Sequence, residues 1–164
     1  MTACNGLAMM ELLPVLATSP TPTGKAADVI NEIAFSKPGN SVIASTAQLT
    51  LGGMIKNLRV RDRKKADELT EVIIKNMKNS PDTLQQLLVY GNTGSYALLP
   101  VISSYVLNPS VSPEVRRAAV FALRLIDHNE VTVLLENLVL NKDTVLSKAA
   151  TETISFRKNY LHNH

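Results

Sequence analysis

The sequence predicts an all-α protein built as an α-α superhelix, in which pairs of helices stack along the chain. Apolar residues recur at helical spacing along most of the 164 residues, and short polar connectors separate the segments. No segment alternates apolar and polar residues for long enough to indicate a sheet. We therefore expect one domain over 1–164 with about nine helices in roughly four and a half pairs.

The most informative stretch is 112–126, because it begins with the signals of a helix N-terminus. Ser112 is the expected N-cap, Pro113 fits the first helical position, and Glu114 suits the positive end of the helix dipole. One apolar face then follows helical spacing: Val115, Ala118, Ala119, Ala122, Leu123 and Ile126. The small residues let a neighbouring helix approach closely, which predicts helix crossings at Ala119 and Ala122.

The same pattern recurs along the chain. Aligning the segments on their last large apolar residue gives the anchors Leu51, Tyr90, Leu123 and Ile154, spaced by 39, 33 and 31 residues. Helix-pair repeats have periods of about 33 to 47 residues, and the HEAT and armadillo repeats are among them. The spacing therefore predicts a HEAT-like helical-repeat solenoid.

The predicted elements follow in chain order. The helix pairs cover 7–36, 41–79, 82–108 and 112–140, and a final helix covers 143–158. The first connector, 18–23, contains two prolines and cannot be helical throughout. Gly52 and Gly53 inside an apolar helix predict a close helix crossing or a bend. The run Gly91–Gly94 predicts a helix C-cap.

Composition limits the possible classes of protein. The residues are 45% hydrophobic but only 4% aromatic, which indicates a core of aliphatic and small side chains. Cys4 is the single cysteine, so no intramolecular disulfide can form. No run reaches the apolar length of a membrane span, and no signal peptide is recognised. The localisation stays undetermined from composition.

Several of these segments together resemble a known family. The segments are AQLTLGGMI (47–55), VYGNTG (89–94), ALLP (97–100) and VRRAAVFALR (115–124). They are similar to the helical domain of the large lipid transfer proteins, which include vitellogenin, microsomal triglyceride transfer protein, apolipophorin and apolipoprotein B. The resemblance covers roughly residues 41–155, and its helix motif is shared with HEAT repeats in general.

The resemblance implies a non-enzymatic helical-repeat scaffold that mediates protein–protein or interdomain contacts in lipid transport. Its partner would be another protein or the β-rich lipid-binding domains of this family, and lipid would be reached through those domains. It also implies a location in the secretory pathway or outside the cell. Apolar surface on the end helices Leu7–Leu16 and Val145–Phe156 makes them the expected contact surfaces, including for self-association.

One basic segment is the strongest charge feature. It reads KNLRVRDRKK, and its cations are Lys56, Arg59, Arg61, Arg63, Lys64 and Lys65. With Asp62 its net charge is +5, against +3 for the whole chain. The segment is a possible binding site for nucleic acid, an anionic surface or an acidic partner, which is the alternative function; it could also be a solvated turn at a helix C-terminus. No aromatic residue interleaves it, which argues against single-strand stacking.

The possible catalytic and metal-binding residues do not assemble into a motif. His128 lies at a turn between helices, where a cap or a solvated ring is expected, and His162 and His164 lie at the end of the chain. Cys4 has no evident histidine partner. The run 155–158 matches S-x-x-K, but a solvated last helix is the expected structure. We predict no enzyme, no cofactor and no metal; an accessory subunit or an enzyme on a HEAT-like solenoid is a further alternative.

Overall fold

The computed structural model describes residues 3–35 and 41–161, and it describes side chains within 8–35 and 42–160. In these ranges the chain forms α-helices, two short 3₁₀ turns and no strand, which confirms the all-α prediction. The helices are α1 (Ala3–Thr18), α2 (Gly24–Phe35), α3 (Ser41–Leu58), α4 (Arg63–Met77), α5 (Thr83–Thr93), α6 (Leu99–Leu107), α7 (Pro113–Ala122), α8 (Asn129–Val139) and α9 (Thr144–Leu161). The 3₁₀ turns are Tyr96–Leu98 and Leu123–Leu125.

The observed helices follow the predicted order with small shifts in their ends. Helix α1 continues through Pro14 to Thr18. The segment predicted as one helix over 112–126 is α-helical to Ala122 and then tightens into the 3₁₀ turn Leu123–Leu125, which is a common way to end a helix. The connector predicted at 37–40 lies outside the described residues.

Internal contacts divide the chain into two compact units, Met1–Pro81 (unit 1) and Asp82–His164 (unit 2). Each unit has its own buried apolar core. That the two units together form a single domain over 1–164 stays a prediction.

Helix α3 is the centre of unit 1, because α1, α2 and α4 all pack on it. Its buried face is apolar and consists of Ala47, Leu51, Met54, Ile55 and Leu58. Side chains of α3 also donate hydrogen bonds to backbone carbonyls of the preceding segments: Gln48 to Ala34, Thr50 to Leu13 and Asn57 to Ser19, at 3.2, 3.1 and 2.7 Å. These bonds fix where α3 crosses its neighbours.

Gly53 allows α3 to approach the end of α1 closely. A Cβ atom at this position would lie 2.8 Å from the carbonyl oxygen of Ala17, which is closer than real side chains come. The prediction of a close helix crossing at Gly52 and Gly53 is therefore confirmed at Gly53.

Helix α7 is the centre of unit 2, where it packs on α5, α6 and α9, while α8 packs on α9. The N-terminus of α7 is as predicted: Ser112 Oγ accepts a hydrogen bond from the backbone N–H of Val115 at 3.3 Å, and Pro113 is the first helical residue. Ala119 and Ala122 are buried, as the crossing prediction requires.

Two glycines near the end of α5 have different roles, one at the crossing with α7 and one at the C-cap. A Cβ atom on Gly91 would lie 2.8 Å from the Cα atom of Ala122, so only glycine fits the observed spacing. Gly94 has a φ of 58° and ends α5 in the left-handed conformation that glycine adopts at low cost. The C-cap prediction for this run is confirmed.

Candidate functional site

The basic segment lies at the turn between α3 and α4, and several of its cations are bound to nearby acids. Arg59 forms an ion pair with Asp67, and its Nη2 donates to Thr70 Oγ1 at 3.2 Å. Lys65 Nζ lies 2.7 Å from Asp28 Oδ1, and this hydrogen bond raises the pKa of Lys65. These contacts give Arg59 and Lys65 a structural role within unit 1.

Of the other four cations, Arg61, Arg63 and Lys64 are exposed. Arg63 Nε lies 3.8 Å from Asp67 Oδ2 at the surface, whereas Lys56 is half-buried in α3. In the part of the chain that the structure describes, the exposed residues Arg61 and Lys64 form no ion pair. The segment is thus partly neutralised by its surroundings, and its role in binding an anion or a partner stays a prediction.

Arg116 joins helix ends within unit 2. Its Nε donates to the carbonyl oxygen of Val106 at 3.1 Å, at the end of α6, and its Nη1 donates to Asp143 Oδ2 at 3.0 Å, just before α9. The side chain stabilises the packing of the helix pairs.

Arg116→Ala should lower the free energy of unfolding by about 1.5 to 3 kcal/mol, because it removes charge-assisted hydrogen bonds and the packing of the side-chain stem. The matched variant Arg61→Ala removes an exposed arginine and should change stability by less than about 0.5 kcal/mol. Urea unfolding followed by circular dichroism measures both. Equal effects would contradict the structural role of Arg116.

Arg124 is buried at the crossing of α5 and α7. Its Nη2 donates to Asn92 Oδ1, its Nη1 donates to the carbonyl oxygen of Phe121 at 3.3 Å, and its Cζ lies 4.4 Å from the centre of the Phe121 ring. Burial lowers the pKa of Arg124. The arginine therefore fixes the Phe121 ring from one side.

Arg157 on α9 is buried as well, at a relative exposure of 6%. Its Nη1 donates to the carbonyl oxygens of Leu123 and Ile126, which also accept the backbone N–H groups of Ile126 and His128, respectively. Burial lowers the pKa of Arg157, and the nearby Asp127 partly offsets that effect. The prediction that this end of the last helix is solvated is wrong for Arg157, because the side chain reaches back to the end of α7.

An aromatic patch on α7 and α9 consists of Phe121, Phe156 and Tyr160. The ring centres of the two phenylalanines are 6.3 Å apart, and those of Phe156 and Tyr160 are 5.6 Å apart and nearly parallel. The phenylalanines are exposed by 41% and 37%, and Arg117 and Glu152 form an ion pair beside them at 4.0 Å. The whole sequence has three Phe, four Tyr and no Trp, and three of these residues lie together in this patch.

The aromatic patch was not predicted from the sequence. The spacing of Phe156 and Tyr160, four residues apart on one helix, could have indicated an aromatic pair. Phe121 precedes Phe156 by 35 residues. Its place in the patch depends on the packing of α7 against α9, which no local pattern shows.

An open groove of about 480 Å³ lies between α8 and α9, and we call it the α8–α9 groove. Its apolar lining consists of Leu135, Val139, Leu140 and Ile154. Leu140 is 84% exposed, which is unusual for a large apolar side chain. Arg157 and Lys158 line the α9 side, and Glu136 lines the α8 side.

A second groove, of about 360 Å³, lies between α1 and α2 in unit 1. Its lining residues are all apolar: Met9, Leu12, Leu13, Leu16, Ala26, Val29, Ile30 and Ile33. Leu12, Val15 and Val29 are 54%, 64% and 56% exposed, and we call this surface the α1–α2 face. Apolar surface was predicted on the first and last helices, and these grooves show where it lies.

His128 caps the N-terminus of α8, which is one of the two roles expected for it from the sequence. Its Nδ1 accepts a hydrogen bond from the backbone N–H of Glu130 at 3.3 Å, and its ring stacks on Tyr96 with centres 3.9 Å apart. The Tyr96 hydroxyl donates to Glu130 Oε1 at 2.9 Å, which raises the pKa of Tyr96. This cluster holds the start of α8 in place.

Within the described ranges, no group of three or more His, Cys, Asp or Glu side chains could hold a metal ion. His162 and His164 lie outside these ranges. In the same ranges, none of the helices combines the length and apolar character needed to cross a bilayer.

Comparisons with known proteins assign neither a family nor a function to this chain. No protein-family model, curated protein or solved structure matches the chain. The resemblance to the helical domain of the large lipid transfer proteins therefore stays a prediction.

Proposed function

We propose that this protein is a non-enzymatic helical-repeat scaffold that binds protein partners, with the aromatic patch as the principal contact surface. The observation that carries this proposal is the exposure of Phe121 and Phe156 side by side on α7 and α9. Aromatic residues are enriched at protein interfaces and supply much of their binding energy, whereas clustered exposed rings are unfavourable in water.

The patch is held in a defined geometry before any partner arrives. Arg124 lies against one side of Phe121 and is itself fixed by Asn92, and Phe156 stacks on Tyr160. Side chains that are already ordered lose little conformational entropy on binding, so more of the contact energy is available for affinity. This rigidity supports a specific binding surface.

The packing within unit 2 supports the helical-repeat part of the proposal. Helix α7 contacts both α5 and α9, so alternate helices pack on one another, and Arg116 links the end of α6 to the start of α9. Repeat proteins pack consecutive helix pairs in this way and bind partners along the resulting surface. A HEAT-like superhelix and a role in lipid transport, with a β-rich lipid-binding domain as the partner, are the finer parts of this proposal, and they depend on the resemblance.

Binding of nucleic acid or an anionic surface is less well supported. Asp28 and Asp67 pair with Lys65 and Arg59, which reduces the charge that the basic segment offers to a polyanion. Arg61 and Lys64 are the exposed cations that such binding would use.

The test begins with a photoreactive phenylalanine analogue at position 121, used to cross-link and identify the partner in cells. Affinity for the purified partner is then measured by calorimetry for the full chain and for Phe121→Ala and Phe156→Ala. We expect each change to weaken binding about 10- to 100-fold, as for interface hot spots. The control Leu107→Ala removes an exposed apolar side chain of α6 outside the patch and should leave binding unchanged.

Two outcomes would overturn the proposal. One is unchanged affinity in both phenylalanine variants while circular dichroism shows that they remain folded. The other is loss of binding in moderate salt and in Arg61→Gln with Lys64→Gln, which would assign the binding to the basic segment.

A further inference from the structure

We propose that the groove between α6 and α8 binds an extended peptide segment of a partner protein, with a lysine or arginine of that segment placed against Glu130 and Tyr96. The groove has a volume of about 580 Å³ and lies within unit 2. The inference goes beyond the proposed function, because none of the residues of the aromatic patch lines this groove. It therefore concerns a second contact surface.

The two sides of the groove meet at one hydrogen bond. Tyr96, in the 3₁₀ turn before α6, donates through its hydroxyl to Glu130 Oε1 in the first turn of α8, at 2.9 Å. Ser103 on α6 and Asn137 on α8 line the same groove further along both helices. From Asn129 to Asn137 the groove follows α8 for about 12 Å, which is the length of about four residues of extended chain. The groove is therefore long enough for a peptide segment.

The charge of this groove is negative. Among the described residues that line it, Glu130 is the only charged one, and its side chain is 63% exposed. Residues 96–107 include no charged residue, and α8 carries two glutamates and no lysine or arginine. In the described part of the chain, no lysine or arginine lies within ion-pair distance of Glu130. The nearby His128 Nδ1 accepts the N–H of Glu130 and so carries no proton, which leaves the charge of Glu130 unneutralised.

Two groups at this end of the groove suit a cationic side chain. Glu130 Oε1 accepts from Tyr96, but no described residue donates to Oε2, which can therefore accept N–H groups of a guanidinium or an ammonium. The Tyr96 ring is 45% exposed, and the face of a tyrosine ring attracts cations. His128 stacks on this ring with centres 3.9 Å apart, so the ring is already ordered before a ligand binds.

The rest of the groove suits a peptide main chain with apolar side chains. Val133, which is 47% exposed, and Leu134 belong to its apolar lining. Ser103, Asn129 and Asn137 add neutral polar groups, and within the described residues their side chains form no hydrogen bond. An asparagine amide has donors and an acceptor, as a peptide unit has. The groove thus offers partners for main-chain groups along its length, whereas a small organic cation would use only the end at Glu130.

The experiment begins with a displayed library of random octapeptides, selected on the full chain. We expect lysine or arginine to be enriched at one position of the selected peptides. A selected peptide is then synthesised with arginine at that position and with citrulline, which has nearly the same shape and no charge. Fluorescence polarisation should show about tenfold weaker binding of the citrulline peptide.

Variants of the two glutamates of α8 test where the cation binds. Glu130→Gln should bring the two peptides to within about twofold of each other in affinity, because the charge is lost. The variant should stay folded, because the position is exposed and glutamine keeps an oxygen that accepts from Tyr96. Glu136→Gln is the matched control, since Glu136 lines the α8–α9 groove, and it should leave the preference for arginine unchanged. Glu130→Lys should reverse the preference towards a peptide with glutamate at that position.

A further variant tests the rest of the groove. Val133→Ser should weaken the arginine and citrulline peptides alike, several-fold, because both lose the same apolar contact. The control Leu107→Ser removes an exposed apolar side chain of α6 that does not line the groove, and it should leave both affinities unchanged. Unchanged affinity in Val133→Ser would place the peptide outside the groove and overturn the proposal.

Other results would overturn the proposal as well. They are selection of peptides without an enriched cation, or a preference for arginine that Glu130→Gln leaves intact. Binding of N-acetylarginine amide as tight as that of the octapeptide would assign the site to a small cation instead. Loss of peptide binding in Phe121→Ala or Phe156→Ala would assign the peptide to the aromatic patch. Affinity for the cross-linked partner is scored on the patch variants and the preference for arginine on Glu130, so either proposal can fail without the other.

Discussion

Gly91→Ala should lower the free energy of unfolding by about 2 kcal/mol, although alanine is the better helix former. The added Cβ atom would lie 2.8 Å from Ala122 Cα and 2.9 Å from Arg124 Nη1. Forcing α5 and α7 apart costs about 3 kcal/mol, which outweighs the gain of about 1 kcal/mol in helix propensity. Denaturant unfolding followed by circular dichroism gives the value.

Two other glycines serve as comparisons for this result. At Gly24 the nearest atom to an added Cβ is Lys65 Cγ at 3.3 Å, on a flexible side chain, so Gly24→Ala should change stability little. Gly53→Ala should destabilise as Gly91→Ala does, because its Cβ would meet the backbone of Ala17. If Gly91→Ala stabilises the protein instead, α5 and α7 do not cross as closely as the structure shows.

Arg157→Ala should lower the free energy of unfolding by about 2 to 4 kcal/mol. The change removes one of the two donors to each of the carbonyl oxygens of Leu123 and Ile126, and it removes a buried side-chain stem. Each carbonyl keeps its backbone donor, so the loss comes from the hydrogen bonds to the charged guanidinium, worth about 1.5 to 3 kcal/mol each, and from the packing of the stem; water reaching the site would recover part of this. Thermal and urea unfolding of the variant measure the loss.

The neighbouring residue provides the matched control for Arg157. Lys158→Ala removes an exposed cation from the same helix and should change stability by less than about 0.5 kcal/mol. Arg157→Met keeps most of the stem and relieves a buried charge, so its effect should lie between the two. Equal losses for Arg157→Ala and Lys158→Ala would show that Arg157 does not hold the end of α7.

Local signals made much of the fold predictable. The N-cap at Ser112 and the glycine cap at Gly94 each depend on one residue type at one backbone position, so they could be read without tertiary structure. The order of the helices followed from the helical spacing of apolar residues along the chain.

The candidate site could not be predicted in the same way, because its contacts join residues that are far apart in the chain. Lys65 pairs with Asp28 across 37 residues, and nothing local marks that pair. Arg157 looked solvated, because a charged residue near the end of a helix is usually exposed. Its burial depends on where α9 lies against α7, which is set by packing and not by the sequence of α9 alone.

The choice of helices that contact each other in unit 2 also affects how fast the unit folds. Its substantial contacts join helices that are next to each other or one place apart in the chain: α5 with α7, α6 with α7, α7 with α9, and α8 with α9. Chains whose contacts span short sequence separations lose little entropy in closing loops and fold fast for their size. We therefore expect unit 2 to fold fast for its size.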